Sequence, residues 1–311
     1  MARLRILITG ANGFLGDYIF KYLYSKNHQI SILNRKDIDN IFLNKYFLNN
    51  HFSDFESIPV LKQKYDYLIH MAAIPYLESE NSINLAEIVN TKLTDYLAKY
   101  CQIKNIYFLF FSTVQVYGSS LKGKYTEKSL TNPKTIYAKT KREAELRIIN
   151  RIEKFDLKAK ILRIGNIFGK PLNPSSSGWK LFANRIILDS INDRKIHIKN
   201  NPYLRRSFVS INLLLNFIEN FIENSNKNIS LENNIINITS NNSITLIDFA
   251  FKVIKLNKIL INNEVELSIN KNLISNIPDF NFSNLILKQF ITDLNKFDLE
   301  LEIKKMILSI I

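Results

Sequence analysis

One cysteine in 311 residues, Cys101, excludes an internal disulfide and suits a reducing, cytoplasmic setting. No apolar stretch approaches the roughly 20 residues that a membrane helix needs, so no membrane partner is expected. Met1-Ala2-Arg3 runs straight into the first apolar segment, which leaves no space for a secretory leader. The four histidines, His28, His51, His70 and His197, are scattered without ligand spacing, so no metal is expected. Internal repeats are absent. Acidic residues are outnumbered, 28 Asp and Glu against 42 Lys and Arg, giving a net charge of +14. The excess is dispersed and lacks a basic block interleaved with aromatics, which argues against nucleic acid as a partner and leaves an anionic small molecule. With 46% hydrophobic residues the chain is neither disordered nor fibrous, and it is long enough to bury a large core and carry a smaller second lobe.

What is present begins at the first residues. Leu4-Arg5-Ile6-Leu7-Ile8 has the length and composition of a buried strand. Thr9-Gly10-Ala11-Asn12-Gly13-Phe14-Leu15-Gly16 follows, and an amphipathic stretch runs on to Ser25. Glycines here permit a tight turn, a close approach of backbone to phosphate, and helix-on-strand packing. The helix then points its free N–H groups and positive dipole end at a pyrophosphate. The spacing is G-x-x-G-x-x-G rather than the commoner G-x-G-x-x-G. A second strand, Ile30 to Leu33, ends at Asn34-Arg35-Lys36, where an acid would be expected to hold the adenosine ribose. Arg35 suits a 2′-phosphate instead, so NADP(H) is favoured over NAD(H); Asp37 lies too far along to be the obvious ribose ligand.

The chemistry is expected farther on. Ile106 to Phe111 reads as a buried aromatic strand ending at Ser112-Thr113, and ligands in open α/β sheets bind beyond such carboxyl ends. Tyr137 to Glu153 reads as a helix that places Tyr137 and Lys141, four residues apart, on one face. A nearby ammonium is expected to lower the tyrosine pKa and make it a usable acid or base, with Thr113 orienting the same substrate oxygen. Y-x-x-x-K recurs at Tyr22/Lys26 and Tyr100/Lys104, but only the Tyr137 copy follows a strand ending in Ser-Thr. Together with the glycine turn this predicts hydride transfer on a nicotinamide cofactor. Alternating strands and helices from Leu4 to Arg163 predict an α/β doubly wound parallel sheet, with a helix over 81–101.

In these motifs the chain resembles an extended short-chain dehydrogenase/reductase of the NAD-dependent epimerase/dehydratase group, which acts on nucleotide sugars. Thr9-Gly10-x-x-Gly13-x-x-Gly16 resembles its cofactor turn, where Gly10, Asn12, Gly13, Phe14, Leu15 and Gly16 would line the dinucleotide. Asp54-Phe55 resembles its adenine-contacting pair. Asp66 to Ala73 resembles D-x-V-x-H-x-A-A, whose end (Met71, Ala72, Ala73) borders the cofactor, and Asn90 matches a position near that pocket. Ser112 to Gly118, Arg163 to Pro171, Arg206 to Asn212 and Ile236-Asn237-Ile238 match further motifs. The resemblance implies that Thr113, Tyr137 and Lys141 are catalytic, that Asn166 and Arg206 hold a diphosphate, and that Gln115 also faces the substrate. Trp179 either contacts the nucleotide or is simply core. Lys180 and Arg185 follow Trp179 on a helix that could reach the nucleotide. It implies a Rossmann domain of residues 1–168 plus about 209–239, and a smaller, mostly helical sugar-nucleotide lobe of about 169–208 plus 240–311. A homodimer through the 85–100 and 137–149 helices is also implied.

The departures narrow the reaction. Dehydratases of this group carry Asp-Glu after the catalytic Thr and decarboxylases a Glu; here Val114 and Gln115 occupy those positions. The Arg-Asp pair of a later motif has become Arg206-Ser207. A 4-keto sugar-nucleotide reductase using NADPH is therefore favoured, with a 4-epimerase acting through a transient ketone as the alternative. A catalytically silent cofactor-binding regulator would tend to lose Tyr or Lys, and both are present.

Overall fold

The first apolar run forms β1 (Arg5–Thr9), and the residues after the glycines form α1 (Phe14–Ser25). A computed structural model describes residues 3–34, 45–47, 59–224, 233–240, 242–270, 273, 277–291 and 293–311. The chain continues through β2 (Gln29–Asn34), β3 (Lys45–Phe47), β4 (Tyr67–His70), α2 (Tyr76–Asn81), α3 (Ile83–Ala86), α4 (Leu93–Lys104), β5 (Tyr107–Thr113), β6 (Gly123–Tyr125), α5 (Ile136–Phe155), β7 (Ala159–Ile164) and β8 (Asn166–Phe168). It ends with α6 (Phe182–Asn192), β9 (Lys195–Ile198), β10 (Arg205–Arg206), β11 (Phe208–Ser210), α7 (Ile211–Asn224), β12 (Ile235–Ile238), β13 (Ile244–Thr245), α8 (Leu246–Ile261), β14 (Glu266–Ile269), β15 (Phe280–Phe282) and α9 (Leu299–Ile310).

Two compact units result. The first holds Met1–Ser119, Leu130–Arg163 and Ser230–Ile236; the second holds Ser120–Ser129, Ile164–Ile229 and Asn237–Ile311. The first is organised by a seven-stranded sheet of order β12-β7-β5-β4-β1-β2-β3. β1 lies parallel between β2 and β4, with Ile6 opposite Ile30 on one side and Tyr67 on the other. Leu7 packs into a core with Leu68, Phe108 and Phe110 from the sheet, Leu97 and Cys101 from α4, and Ala144 and Ile148 from α5. Ile6 and Ile8, on the opposite face of the same strand, are equally buried. A strand buried on both faces belongs to a parallel sheet covered on both sides, which is the expected doubly wound arrangement.

Local signals explain the helix limits. Thr135 caps α5, its Oγ1 accepting the Ala138 N–H at 3.1 Å. α4 and α5 end at Asn105 and Asp156 in the left-handed region. The helix expected over 81–101 is not continuous. It breaks at Ser82, resumes as α3, passes through a π-helical turn (Glu87–Lys92) and becomes α4. Thr94 Oγ1 donates to the Asn90 carbonyl at 2.8 Å, and Asn90 spends its side chain outside the helix, which accounts for the widened turn.

The second unit has its own core. Phe208 and Phe249 lie tilted at 36° with centroids 4.3 Å apart, and Phe168 meets Phe249 edge-on at 6.0 Å. Ile186 and Ile187 of α6, Val253 of α8 and Ile303 and Ile307 of α9 close around them. Its strands form short pairs; β8 runs parallel to β11 with Asn166 opposite Phe208. Leu109→Ala, at the fully buried centre of β5, is expected to cost about 2–5 kcal/mol in urea unfolding.

Candidate functional site

The glycine turn is built by close approach. Gly10 has φ +76°, and a Cβ placed on it would lie 2.6 Å from the Ala72 backbone nitrogen. Only glycine tolerates both conditions. A Cβ on Gly16 would strike the Gly10 backbone, so the start of α1 lies directly on the turn. Gly13 caps α1 without a side-chain hydrogen bond, leaving the first-turn N–H groups for an external acceptor such as a diphosphate. Asn12 and Gly13 are exposed, Leu15 is partly so, and Phe14 is buried against Tyr18. These features fit a dinucleotide, which also agrees with Met71, Ala72 and Ala73 being partly exposed beside the turn.

A hydrogen-bond chain holds this rim. The Ala72 N–H donates to Thr9 Oγ1 at 3.3 Å, and Thr9 Oγ1 lies 2.6 Å from His70 Nδ1. His70 Nε2 lies 2.8 Å from Thr94 Oγ1, whose proton goes to the Asn90 carbonyl. Nε2 therefore donates and Nδ1 accepts: His70 is a neutral imidazole of fixed tautomer. Burial pushes its pKa well below the ordinary value, and the Lys141 ammonium adds to the effect. Asn90 continues the clamp. Its Oδ1 accepts the Ile74 N–H at 2.7 Å, and its Nδ2 donates to Ile74 O at 3.2 Å and to Thr140 Oγ1 at 3.1 Å. The Asn90 amide thus joins the segment after Ala73 to α5.

Thr113 is the last residue of β5, where the sequence places the strand end. Its Oγ1 accepts the Gln115 N–H at 3.2 Å, which leaves its own proton for a substrate oxygen. Val114 is buried and Gln115 exposed in the turn that follows. Tyr137 and Lys141 lie in the first turns of α5, the first partly buried and the second 2% exposed. Lys141 Nζ sits 4.4 Å from the centroid of the Phe110 ring, a cation–π contact. Burial lowers Lys141 to about 7, opposed by Glu145. Burial raises Tyr137 to about 12. The expected lowering of the tyrosine pKa is therefore corrected: desolvation of the phenolate dominates, and the ammonium faces an aromatic ring and a carboxylate instead.

The other expected residues fall as follows. Asn34 ends β2, while Arg35, Asp54 and Phe55 lie outside the described residues. In the second unit the Asn166 N–H donates to Ser207 O at 2.7 Å and its residue is partly exposed. Arg206 is partly buried on β10, donates to Arg205 O at 2.9 Å, and is paired with no carboxylate among the described residues; burial lowers its pKa. Trp179 packs half-buried against the second core. Lys180, Arg185, His197 and Lys199, with Phe182 and Ile198, line a cavity of about 200 Å³. His197 and Lys199 carried no sequence signal, since only the pairing of β9 beside α6 brings them to Lys180 and Arg185. No described helix is long and apolar enough to cross a membrane.

A family model described as "NAD dependent epimerase/dehydratase family" matches residues 6–238. The chain belongs to this family. It is 31% identical to dTDP-D-glucose 4,6-dehydratase of Dictyostelium discoideum over 55% of this chain and 45% of that protein. It is 30% identical to dTDP-4-dehydrorhamnose reductase of Aggregatibacter actinomycetemcomitans over 61% of each chain. The matches thus span about half to two thirds of these relatives. The structure of L-threonine 3-dehydrogenase from Trypanosoma brucei superposes with a TM-score of 0.83 at 20% identity, covering 99% of this chain and 97% of that one, a likeness of fold.

The His70 arrangement has a pH consequence. Its pKa in the fold lies below the ordinary 6.5, so the unfolded chain binds the extra proton first. Its stabilising contribution is complete above about pH 6.5 and is lost as the pH falls below it. The urea midpoint is expected to drop between pH 7 and pH 5, and to drop less in His70→Asn.

Proposed function

We propose that the chain is a reductase of a nucleotide-linked 4-keto sugar, working with NADP(H) in preference to NAD(H). The observation that supports this reading is geometric: Thr113 ends β5 and is followed by Val114 and Gln115, with no carboxylate, and Tyr137 and Lys141 lie one helical turn apart on α5. Tyr137 stays a phenol near neutral pH, since burial raises its pKa further, so it can complete the new hydroxyl.

The bound nicotinamide would supply the hydride. Thr113 would donate a hydrogen bond from its hydroxyl to the C4 oxygen and orient it, keeping its own proton. Tyr137 would give that oxygen its proton, and Lys141, one helical turn on, would hold the nicotinamide ribose and steady the phenolate that forms. Gly10, Asn12, Gly13, Phe14, Leu15 and Gly16 would cradle the diphosphate of the cofactor, with Met71, Ala72 and Ala73 along its edge and Asn90 holding that edge in place. Asn34 and Arg35 would receive the adenosine ribose. In the second unit Asn166 and Arg206 would hold the substrate diphosphate, and the cavity of Lys180, Arg185, His197 and Lys199 suits an anionic nucleotide. Gln115 and Trp179 would complete the substrate contacts. Val114 and Gln115 offer no carboxyl group, so loss of water is not supported.

In an assay with a panel of 4-keto nucleotide sugars, fluorescence is expected to record net oxidation of NADPH. Interconversion of the C4 epimers without net oxidation would make the protein a 4-epimerase with the same residue set. Tyr137→Phe should reduce turnover about 10²- to 10⁴-fold while cofactor affinity changes less than about threefold; unchanged turnover refutes its role. Arg35→Ala should weaken NADPH about tenfold or more and leave NADH nearly unaffected, read as dissociation constants by fluorescence titration.

A further inference from the structure

Glu145 lies one helical turn beyond Lys141 on α5 and is fully buried. Both of its oxygens are filled. Oε1 accepts Ser112 Oγ at 2.6 Å and Arg163 Nε at 3.0 Å. Oε2 accepts Arg163 Nη2 at 2.7 Å and Arg142 Nη1 at 2.8 Å. Arg163 comes from β7, is 1% exposed, and lays its guanidinium 4.7 Å from the ring centroid of Tyr117 in the turn after Thr113. Burial opposes the charge of Arg163, but Glu145 outweighs it and holds the guanidinium firmly charged. One carboxylate therefore joins β5, β7 and α5 immediately beside Thr113, Tyr137 and Lys141.

A buried ion pair is a weak source of stability, because desolvation of both partners offsets their attraction. Its place at the reacting edge calls for another account. We propose that Glu145 is a positioning residue, which locks the Ser112–Thr113 strand end to the face of α5 that carries Tyr137 and Lys141 and acts as the counter-charge of the Lys141 ammonium. The inference deepens the proposed function and rests on those three residues being the reacting set.

The groups around Lys141 fix the sign of the effect. Glu145 and Tyr137 share its helix, the Phe110 ring lies against it from β5, and neutral His70 faces it from β4. Arg142 and Arg163 lie beyond Glu145, and the π-helical turn and α4 present the neutral Asn90, Thr91 and Thr94 to this region. Glu145 is the one carboxylate among them, and with the Phe110 ring it favours the ammonium. Removing its charge leaves burial opposed by the ring alone, so the Lys141 midpoint falls below about 7.

The test uses Glu145→Gln, which keeps the shape and removes the charge, and Ser112→Ala, which removes one bond. Lys141 is titrated by NMR in protein labelled with ¹³C-lysine and free of cofactor, its signal assigned through Lys141→Arg. Steady-state kinetics with NADPH and the best 4-keto nucleotide sugar give kcat and KM, and thermal melting checks folding. In Glu145→Gln, kcat is expected to fall about 100-fold through misplacement with KM within about threefold, and the Lys141 midpoint to move down by about one pH unit. In Ser112→Ala, kcat should fall about tenfold with the Lys141 midpoint unmoved. A folded Glu145→Gln with unchanged kcat, or with an unmoved Lys141 midpoint, overturns the proposal. If Glu145→Gln does not fold, an unchanged kcat in Ser112→Ala overturns it. Should the wild-type chain turn over no nucleotide sugar, the reaction assignment fails, and the Lys141 titration still decides the role of Glu145.

Discussion

Where a strand leaves a parallel sheet, its polar groups lose their ladder partners while still buried, and an unpaired buried group costs about 1–3 kcal/mol. The first unit meets this constraint with side chains borrowed from neighbouring elements. Thr9 receives the Ala72 N–H, Asn90 receives the Ile74 N–H, and Glu145 receives the Ser112 hydroxyl. The first two satisfy backbone N–H groups beyond β4, and the third a buried side-chain hydroxyl at the end of β5. Each also fixes the position of a residue in the candidate site: Ala72 against Gly10, α5 against the segment after Ala73, and Thr113 against α5. Satisfying the backbone and building the site are one arrangement here.

The same burial sets the protonation states. A phenolate and an ammonium both lose hydration when enclosed, so desolvation drives Tyr137 toward its neutral phenol and Lys141 toward its neutral amine. Helical spacing alone suggested that the pair would compensate each other. The structure gives the ammonium two other neighbours, the face of Phe110 and the carboxylate of Glu145. The phenol consequently keeps its proton near neutral pH.

Much of this was legible in the chain. The β1–glycine–α1 unit, the aromatic strand ending at Ser112-Thr113 and the Tyr137/Lys141 face all follow from local pattern, because period, turn chemistry and helical spacing are short-range properties. Three features were not legible. The π-helical turn depends on where the Asn90 side chain finds partners, 16 and 50 residues away. Glu145 looks like one more charged residue on an amphipathic helix until Arg163 is brought across from β7. The cavity residues His197 and Lys199 become a set with Lys180 and Arg185 only when β9 folds beside α6. In every case the missing information is a long-range pairing, for which a single sequence carries no signal.

The strand end also constrains which reactions the site can host. Elimination of water from a sugar needs a second proton carrier besides the phenol. Val114 is buried and apolar, and the exposed Gln115 has no titratable proton. The carboxylate that is bonded to this strand end is Glu145, and four donors already occupy its two oxygens. It cannot take a substrate proton without breaking the contacts that hold Thr113 in place. On this edge, the bonds that make the scaffold rigid are the same bonds that withhold its nearest carboxylate from chemistry.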